Sequence, residues 1–286
     1  MPSVVIPAHN EANGIERCLR SVLADKIDGL VVVVVANACR DDTAARARSL
    51  GGPIEVVETA EGGKVPAMNL GERHLRGRGL DRFPRLFLDG DIELAPGSLR
   101  ALLAAAADPA PRVVAATPEF DTDGCDLAVR LYYGAERFNP YHLEGAPNGS
   151  GTYCVNAAGR ARWTEFPQVL ADDGFVERQF SASERRTVAG ATARVRVPRT
   201  VSALRRVAAR VRLGTAELDR IAPLRPDQLA AGGTFAAVAR RLAPNPLRWP
   251  SLVVWTALKL LERLESRAVA RKQGGDRWQQ DTSSRR

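Results

Sequence analysis

From Ser3 to Phe120 short apolar runs alternate with segments whose apolar residues recur every three or four positions. SVVIPA (residues 3–8) is a short apolar run ended by Pro7. GIERCLRSVLA follows, with Ile15, Leu19, Val22 and Leu23 on one helical face. LVVVVV, from Leu30 to Val35, is too β-branched and too short for a helix, which predicts a strand buried on both faces. DDTAARARSL offers an aspartate cap and an alanine-rich helix closed by Gly51 and Gly52. IEVVE then predicts a third strand, KVPAMNLGERHL a helix and RLFLD a fourth strand. PGSLRALLAAAA predicts a helix with Pro96 near its first turn, and RVVAATPEF a fifth strand.

Strands alternating with helices at this pitch predict an α/β fold of βαβ units on a mainly parallel central sheet flanked by helices. In such sheets ligands bind beyond the carboxyl ends of the strands. Those ends are residues 7–11, 36–42, 58–64 and 89–91, and all four are polar. After residue 200 the texture changes to arginine-rich helices broken by prolines at 223, 226, 244, 246 and 250. The expected division is an α/β domain over residues 1–200 and a helical C-terminal extension over 201–286, ending in a polar, frayed tail.

Hydrophobic residues make up 45% and charged residues 26% of the 286, an ordinary globular balance that needs no disulfide staples. The four cysteines are scattered, with no CxxC pair, and are expected to be reduced thiols. The opening MPSVVIPAHNE has neither a basic nor an apolar leader region, and no run of about eighteen apolar residues occurs. A cytoplasmic protein is therefore expected, without a signal peptide or transmembrane helix. The net charge of +8 asks for an anionic partner: nucleic acid, an acidic membrane surface or a phosphorylated small molecule.

The strand ends narrow the chemistry. LFLDGDIEL places Asp89 and Asp91 directly after a buried strand, with Gly90 between them to turn the chain. Two hard oxygen donors there suit Mg²⁺ or Mn²⁺ completed by substrate phosphates, although a solvated turn gives the same three letters. IPAHNE brings Pro7, Ala8, His9, Asn10 and Glu11 to the same edge, where Asn10 and Glu11 serve equally to cap the next helix. ANACRDDT supplies Asn37, Asp41 and Asp42, with Asp41 a helix cap on the plainer reading. EGGKVPAMN sets Lys64 after a glycine pair, a point charge suited to phosphate. The spacing is not that of a P-loop, and no GxGxxG follows the first strand, which argues against a dinucleotide-dependent oxidoreductase.

Taken in order, VVIPAHNE, VVVVVANACRDDTA, GGKVPAMNLG and LFLDGD resemble a family 2 glycosyltransferase of the nucleotide-sugar-binding GT-A fold, over roughly residues 1–200. The resemblance implies an inverting transfer from a nucleoside-diphosphate sugar to a hydroxyl on a sugar, glycolipid or small-molecule acceptor. It further implies that Pro7, Ala8, His9, Glu11 and Asn37 hold the nucleotide, that Lys64 lies near it, and that Asp89 and Asp91 hold Mn²⁺ or Mg²⁺ against the diphosphate. NGSGTYCVNAAGRARW resembles the acceptor-side segment. In LADDGFVERQF, Asp173 matches the family's general base, with Asp172 the second choice. The chain departs from the family at Asn37, where aspartate is usual, and at Met68, where arginine often stands.

Two matters stay open at this level. Trp249, Leu252, Val253, Trp255, Leu258 and Leu261, followed by Lys259, Arg263, Arg267, Arg271 and Lys272, read either as core or as a helix lying on an anionic membrane. The non-enzyme alternative is a basic nucleic-acid- or membrane-binding module. It explains the charge but not the four polar strand ends, and no aromatic stacking motif accompanies the arginines, so no nucleic-acid partner is expected.

Overall fold

The computed structural model describes residues 1–224 and 234–270. Its first three units run as expected: β1 (Ser3–Ala8), α1 (Ile15–Leu23), β2 (Val31–Asn37), α2 (Thr43–Ser49), β3 (Ile54–Thr59), α3 (Lys64–Gly77) and β4 (Arg85–Leu88). These four strands are parallel, in the order β3-β2-β1-β4, with Val4 paired to both Val32 and Leu86. There follow β5 (Glu93–Leu94), α4 (Ser98–Ala106), β6 (Val113–Asp121), α5 (Leu127–Glu136), α6 (Pro140–Leu143), β7 (Thr152–Val155), α7 (Ala157–Arg160), α8 (Asp172–Glu177) and β8 (Arg185–Arg196). The completed eight-stranded sheet reads β3-β2-β1-β4-β7-β6-β8-β5, with β7 and β5 the antiparallel members.

Three of these strands carry no clear signal in the sequence. β5 has two residues, β7 is the four-residue TYCV, and β8 is interrupted by Gly190 where its pairing with β6 shifts register between Ala116 and Thr117.

Alternate residues of the central strands feed two cores. Val4, Ile6, Val32, Val34, Leu86 and Leu88 pack with α1 and α4 on one face, whereas Val5, Val33, Val35, Phe87 and Tyr153 pack with α3 on the other. This two-sided burial explains why LVVVVV is continuously apolar. Helix α3 lies close on the sheet because of Gly71, where a Cβ would meet Val5 Cγ1 at 2.7 Å and Val35 Cγ2 at 3.2 Å. The head of α3 is thereby held against the ends of β1 and β2.

The C-terminal helices are α9 (Val201–Ile221), α10 (Thr234–Leu242) and α11 (Trp249–Ala270). Pro250 sits in the first turn of α11, where its missing amide costs nothing. Tyr132 and Ala135 of α5 share a third core with Leu204, Val238, Leu242, Trp255 and Leu258. Glu136 anchors that core, accepting hydrogen bonds from Asn139 Nδ2, His142 Nε2 and Trp255 Nε1. Lys259 turns inward to the same carboxylate at 3.4 Å, away from the basic cluster expected of it. Trp249, Val253, Leu260 and Leu264 lie on the opposite, exposed face of α11, and Arg263 is exposed beside them. The apolar segment thus divides between core and surface. Pro226, the side chain of Arg267, Arg271, Lys272 and the polar tail lie outside the described residues. Among the described residues no helix is long and apolar enough to cross a membrane. All four cysteines are free thiols.

Candidate active site

Because β3, β2, β1 and β4 are parallel neighbours, their carboxyl ends fall side by side along one edge of the sheet. The four polar segments singled out in the sequence therefore form one continuous rim. Two non-glycine residues on it have left-handed backbone, Asn10 (φ 54°) and Ala38 (φ 46°). Such conformations cost energy and persist where surrounding contacts impose them.

Those contacts are dense. Asn37 is buried with both ends of its side chain engaged: Nδ2 donates to the Ala8 carbonyl at 2.8 Å, and Oδ1 accepts from Gly63 N at 3.0 Å. It ties the end of β1 to the residue preceding α3. His9 Nδ1 lies 2.6 Å from the Asn37 carbonyl, an acceptor only, so Nδ1 carries the proton and Nε2 accepts from Asn10 Nδ2 at 3.0 Å. Asn10 Oδ1 in turn accepts from Arg40 N. Asp41 acts as a clasp between loops, accepting from Ala12 N, Thr43 N and Thr43 Oγ1. Partial burial opposes its charge, but these hydrogen bonds outweigh it and hold the carboxyl below its usual range. Asp42 is the N-cap position of α2 and makes no capping bond through its side chain.

The backbone of Asp89 is fixed on both sides: its amide donates to the Gly151 carbonyl at 2.9 Å, and its carbonyl accepts from Ile92 N. Gly151 has φ +66°, and a Cβ there would meet Ile92 at 2.6 Å and Asp89 Oδ2 at 3.3 Å. The glycine keeps room beside the carboxylate. Gly90 serves differently from expectation. Its backbone is not left-handed, and the constraint is close approach, since a Cβ would lie 3.3 Å from Glu11 Cγ and 3.4 Å from Ala8. Glu11, Asp89 and Asp91 are thus neighbours, and all three raise the pKa of the buried Cys18 thiol, secondary to burial itself.

Lys64, the first residue of α3, joins this rim to the other half of the molecule. Its Nζ lies 2.7 Å from Asp89 Oδ1 and 3.1 Å from Asp172 Oδ1. Burial works against its charge, yet the carboxylates of Asp172 and Asp89 prevail and hold the ammonium well above its usual range. Asp172 is 4% exposed, at the start of α8. Burial pushes its carboxyl up to about 6, opposed by Lys64 and reinforced by Asp173 and Asp89. Asp173 is half-buried, with Oδ1 accepting from Gly174 N at 2.8 Å.

Two polar atoms near this cluster are buried without a hydrogen-bond partner, Asp172 Oδ2 and the Tyr153 hydroxyl. Tyr153 stands on β7 opposite Phe87, rings stacked at 5.1 Å. Sequence reasoning passed over it, because a tyrosine in a strand is ordinarily core and only its burial without a partner sets it apart.

Asp89 and Asp91 are the carboxylates that terminate β4. Among the described residues no group of three or more His, Cys, Asp or Glu side chains is placed to cage an ion. Two carboxylates fit a hard cation that keeps waters and takes further ligands from phosphates. The arrangement can therefore seat an anionic, phosphate-bearing molecule at the rim, with acids at its far side.

The sequence profile described as Glycosyl transferase family 2 matches residues 3–163, more than half of the chain. An uncharacterized protein of Mycobacterium tuberculosis, MT1568, is 32% identical over 133 residues, which are 46% of this chain and 40% of that protein. The chain thus spans less than half the length of that relative. Among solved structures, the mannosyltransferase PcManGT from Pyrobaculum calidifontis, in complex with GDP-Man and Mn²⁺, aligns with a TM-score of 0.59 at 20% identity, covering 95% of this chain and 78% of its own. Residues 1–349 of TarS from S. aureus, in complex with UDP-GlcNAc, align with a TM-score of 0.51 at 14% identity, covering 84% and 70%. A mycobacterial protein aligns with a TM-score of 0.51 at 20% identity, covering 82% and 80%. At these identities the likeness is one of fold.

Proposed function

The chain belongs to glycosyl transferase family 2, and on that footing we propose that it transfers a sugar from a nucleoside-diphosphate sugar to an acceptor hydroxyl, with inversion at the anomeric carbon. The observation that carries this reading is Lys64, whose ammonium links the end of β4 at Asp89 to the acid pair at the head of α8. A cation of a kind suited to phosphate thus bridges a carboxylate at the end of β4 and a buried acid at the head of α8. Such an arrangement suits a diphosphate on one side and a hydroxyl nucleophile on the other.

In the reaction the acceptor hydroxyl loses its proton to a carboxylate while its oxygen bonds to the anomeric carbon. The bond from that carbon to the diphosphate oxygen breaks, and the electron pair leaves with the diphosphate. Asp173 is the base: Asp172 has one oxygen committed to Lys64 and the other buried, whereas its neighbour is only half-buried. Lys64 moves towards the diphosphate and offsets its charge. Pro7, Ala8, His9, Glu11 and Asn37 form the floor for the nucleotide, where His9 and Asn37 act through the hydrogen bonds that shape it. Asp89 and Asp91 would hold Mn²⁺ or Mg²⁺, which when bound supplies Lewis-acid neutralisation of the departing diphosphate. The relatives seen with GDP-Man and Mn²⁺ and with UDP-GlcNAc support a donor and cation of this kind.

A panel of nucleotide sugars assayed for donor consumption, with and without Mn²⁺, tests the reading. Consumption of at least one donor, stimulated by the metal, is expected; a chain that neither binds nor consumes any of them is not a transferase of this class.

The exposed stripe of Trp249, Val253, Leu260 and Leu264 favours a second element, reversible seating on an anionic membrane surface, which suits a glycolipid acceptor.

A further inference from the structure

Asp172 and Tyr153 present an unsatisfied pair. The carboxylate is 4% exposed and the phenol 3% exposed. Asp172 Oδ2 lacks any donor, and the Tyr153 hydroxyl lacks any acceptor. Leaving a buried polar group unpaired is costly, and more so for a charged one. The two belong to one neighbourhood: Tyr153 packs in one core with Val65, next to Lys64, and with Val176, one turn of α8 beyond Asp172, and after burial the charge of Asp172 most disfavours ionisation of its phenol. A buried donor therefore stands near a buried acceptor, and the two are not bonded to each other.

The reason lies in Lys64. Its ammonium holds Asp172 by Oδ1 at 3.1 Å while also holding Asp89 at 2.7 Å, so the carboxylate is drawn towards the rim. Any diphosphate that binds at the rim competes for that ammonium. Once Lys64 turns to the phosphates, Asp172 keeps its burial and loses its counter-charge, the most expensive outcome for a buried ion pair. Tyr153 brings a buried hydroxyl without a partner to the same core. We propose that Tyr153 is a positioning residue for Asp172: its hydroxyl takes over the carboxylate when a diphosphate draws Lys64 away. The exchange lets the site bind its anionic ligand without stranding a buried charge, and it keeps Asp172 in place beside Asp173. The idea rests on the donor-binding reading above, and the test separates the two.

The probe is inorganic pyrophosphate with Mg²⁺, which is transparent in the near ultraviolet and leaves tyrosine absorption readable. UDP and GDP serve as companions in calorimetry. In Tyr153→Phe the ring still stacks on Phe87, and only an unpaired hydroxyl is lost, so the melting temperature without ligand should be unchanged or raised. Affinity for pyrophosphate should fall at least about 10-fold, the worth of a hydrogen bond to a charged group. The wild type should show a tyrosine difference band on binding that is absent from Tyr153→Phe. Asp172→Asn, which keeps the phenol and removes the charge it would meet, should also lose the band. A merely structural tyrosine would alter stability and leave both binding and band alone. Equal affinity in wild type and Tyr153→Phe, or a wild type that binds without a tyrosine band, overturns the exchange. A wild type that binds neither pyrophosphate nor any nucleoside diphosphate overturns the transferase reading, and the exchange with it.

Discussion

Lys64 Nζ stands 3.1 Å from Oδ1 of Asp172, so the first residue of α3 is ion-paired to the first residue of α8. One ammonium therefore couples α3 to the helix that carries the acid pair. Changes on either side should be felt on the other.

Asp91→Ala should remove metal-supported nucleotide binding and leave the fold intact, because a half-buried acid at a strand end is not core. Calorimetric titration of UDP and GDP with and without Mn²⁺ checks this. A variant whose affinity keeps the wild-type response to Mn²⁺ would show that Asp91 holds no cation.

Asp173→Asn should retain nucleotide and metal affinity while turnover falls by roughly 10²–10⁴-fold, the usual contribution of a positioned base. Steady-state rates set against nucleotide affinity separate the two effects. Unchanged turnover would transfer the role to Asp172.

The pH dependence of stability should carry the mark of Asp172. Its carboxyl titrates near 6 in the folded chain against 3.8 as reference, so between these values the folded state holds the extra proton. Its stabilising contribution is full below about pH 4 and declines as pH rises through 6, by about 3 kcal/mol at most. Denaturant titrations of wild type and Asp172→Asn from pH 4 to 7 should diverge in this window, with the wild type losing ground as pH rises. Parallel curves would show that burial does not perturb this group.

Glu136 should act in the opposite sense. Burial opposes its charge, but the His142 hydrogen bond and the charge of Lys259 prevail and hold it down to about 2. Its contribution is present above about 4.5 and disappears as pH falls through 2, on the order of 3 kcal/mol in total. Glu136→Gln should lower the melting temperature at pH 7 and flatten the acid limb. If the variant melts like the wild type at both pH 7 and pH 3, α11 is held by its apolar contacts alone.

Replacing Trp249, Val253 and Leu260 together by serine should abolish sedimentation with anionic vesicles at low salt while donor consumption persists. Deleting the segment from Pro246 onward is a poorer test, since it would strip Trp255 and Leu258 from the core shared with α5. Equal sedimentation of the triple variant and the wild type would leave the stripe without a membrane role.

The βαβ half was legible because each strand ends in an abrupt change of chemistry: Ala8 gives way to His9, Asn37 leads into Asp41, and Leu88 into Asp89. A parallel sheet then brings those ends together without further information. What stayed hidden depends on contacts between distant segments. Nothing local to Lys64 announces Asp172, and nothing in TYCV tells a core tyrosine from one whose hydroxyl lacks a partner. Periodicity was equally mute for α11, where Trp249 and Val253 point outwards and Trp255 and Leu258 inwards, so that both faces read as apolar.

The two-ended hold on Asn37 bears on the nucleotide role proposed for it. Asn37→Asp would set a carboxylate against the Ala8 carbonyl, which accepts from the Asn37 amide, while Gly63 N would remain satisfied. The swap would loosen the seam between β1 and α3 before it touched any base. On the proposed reading, specificity is therefore not a single-letter dial. A successful transplant must carry the Ala8 loop and the glycine pair as one cassette.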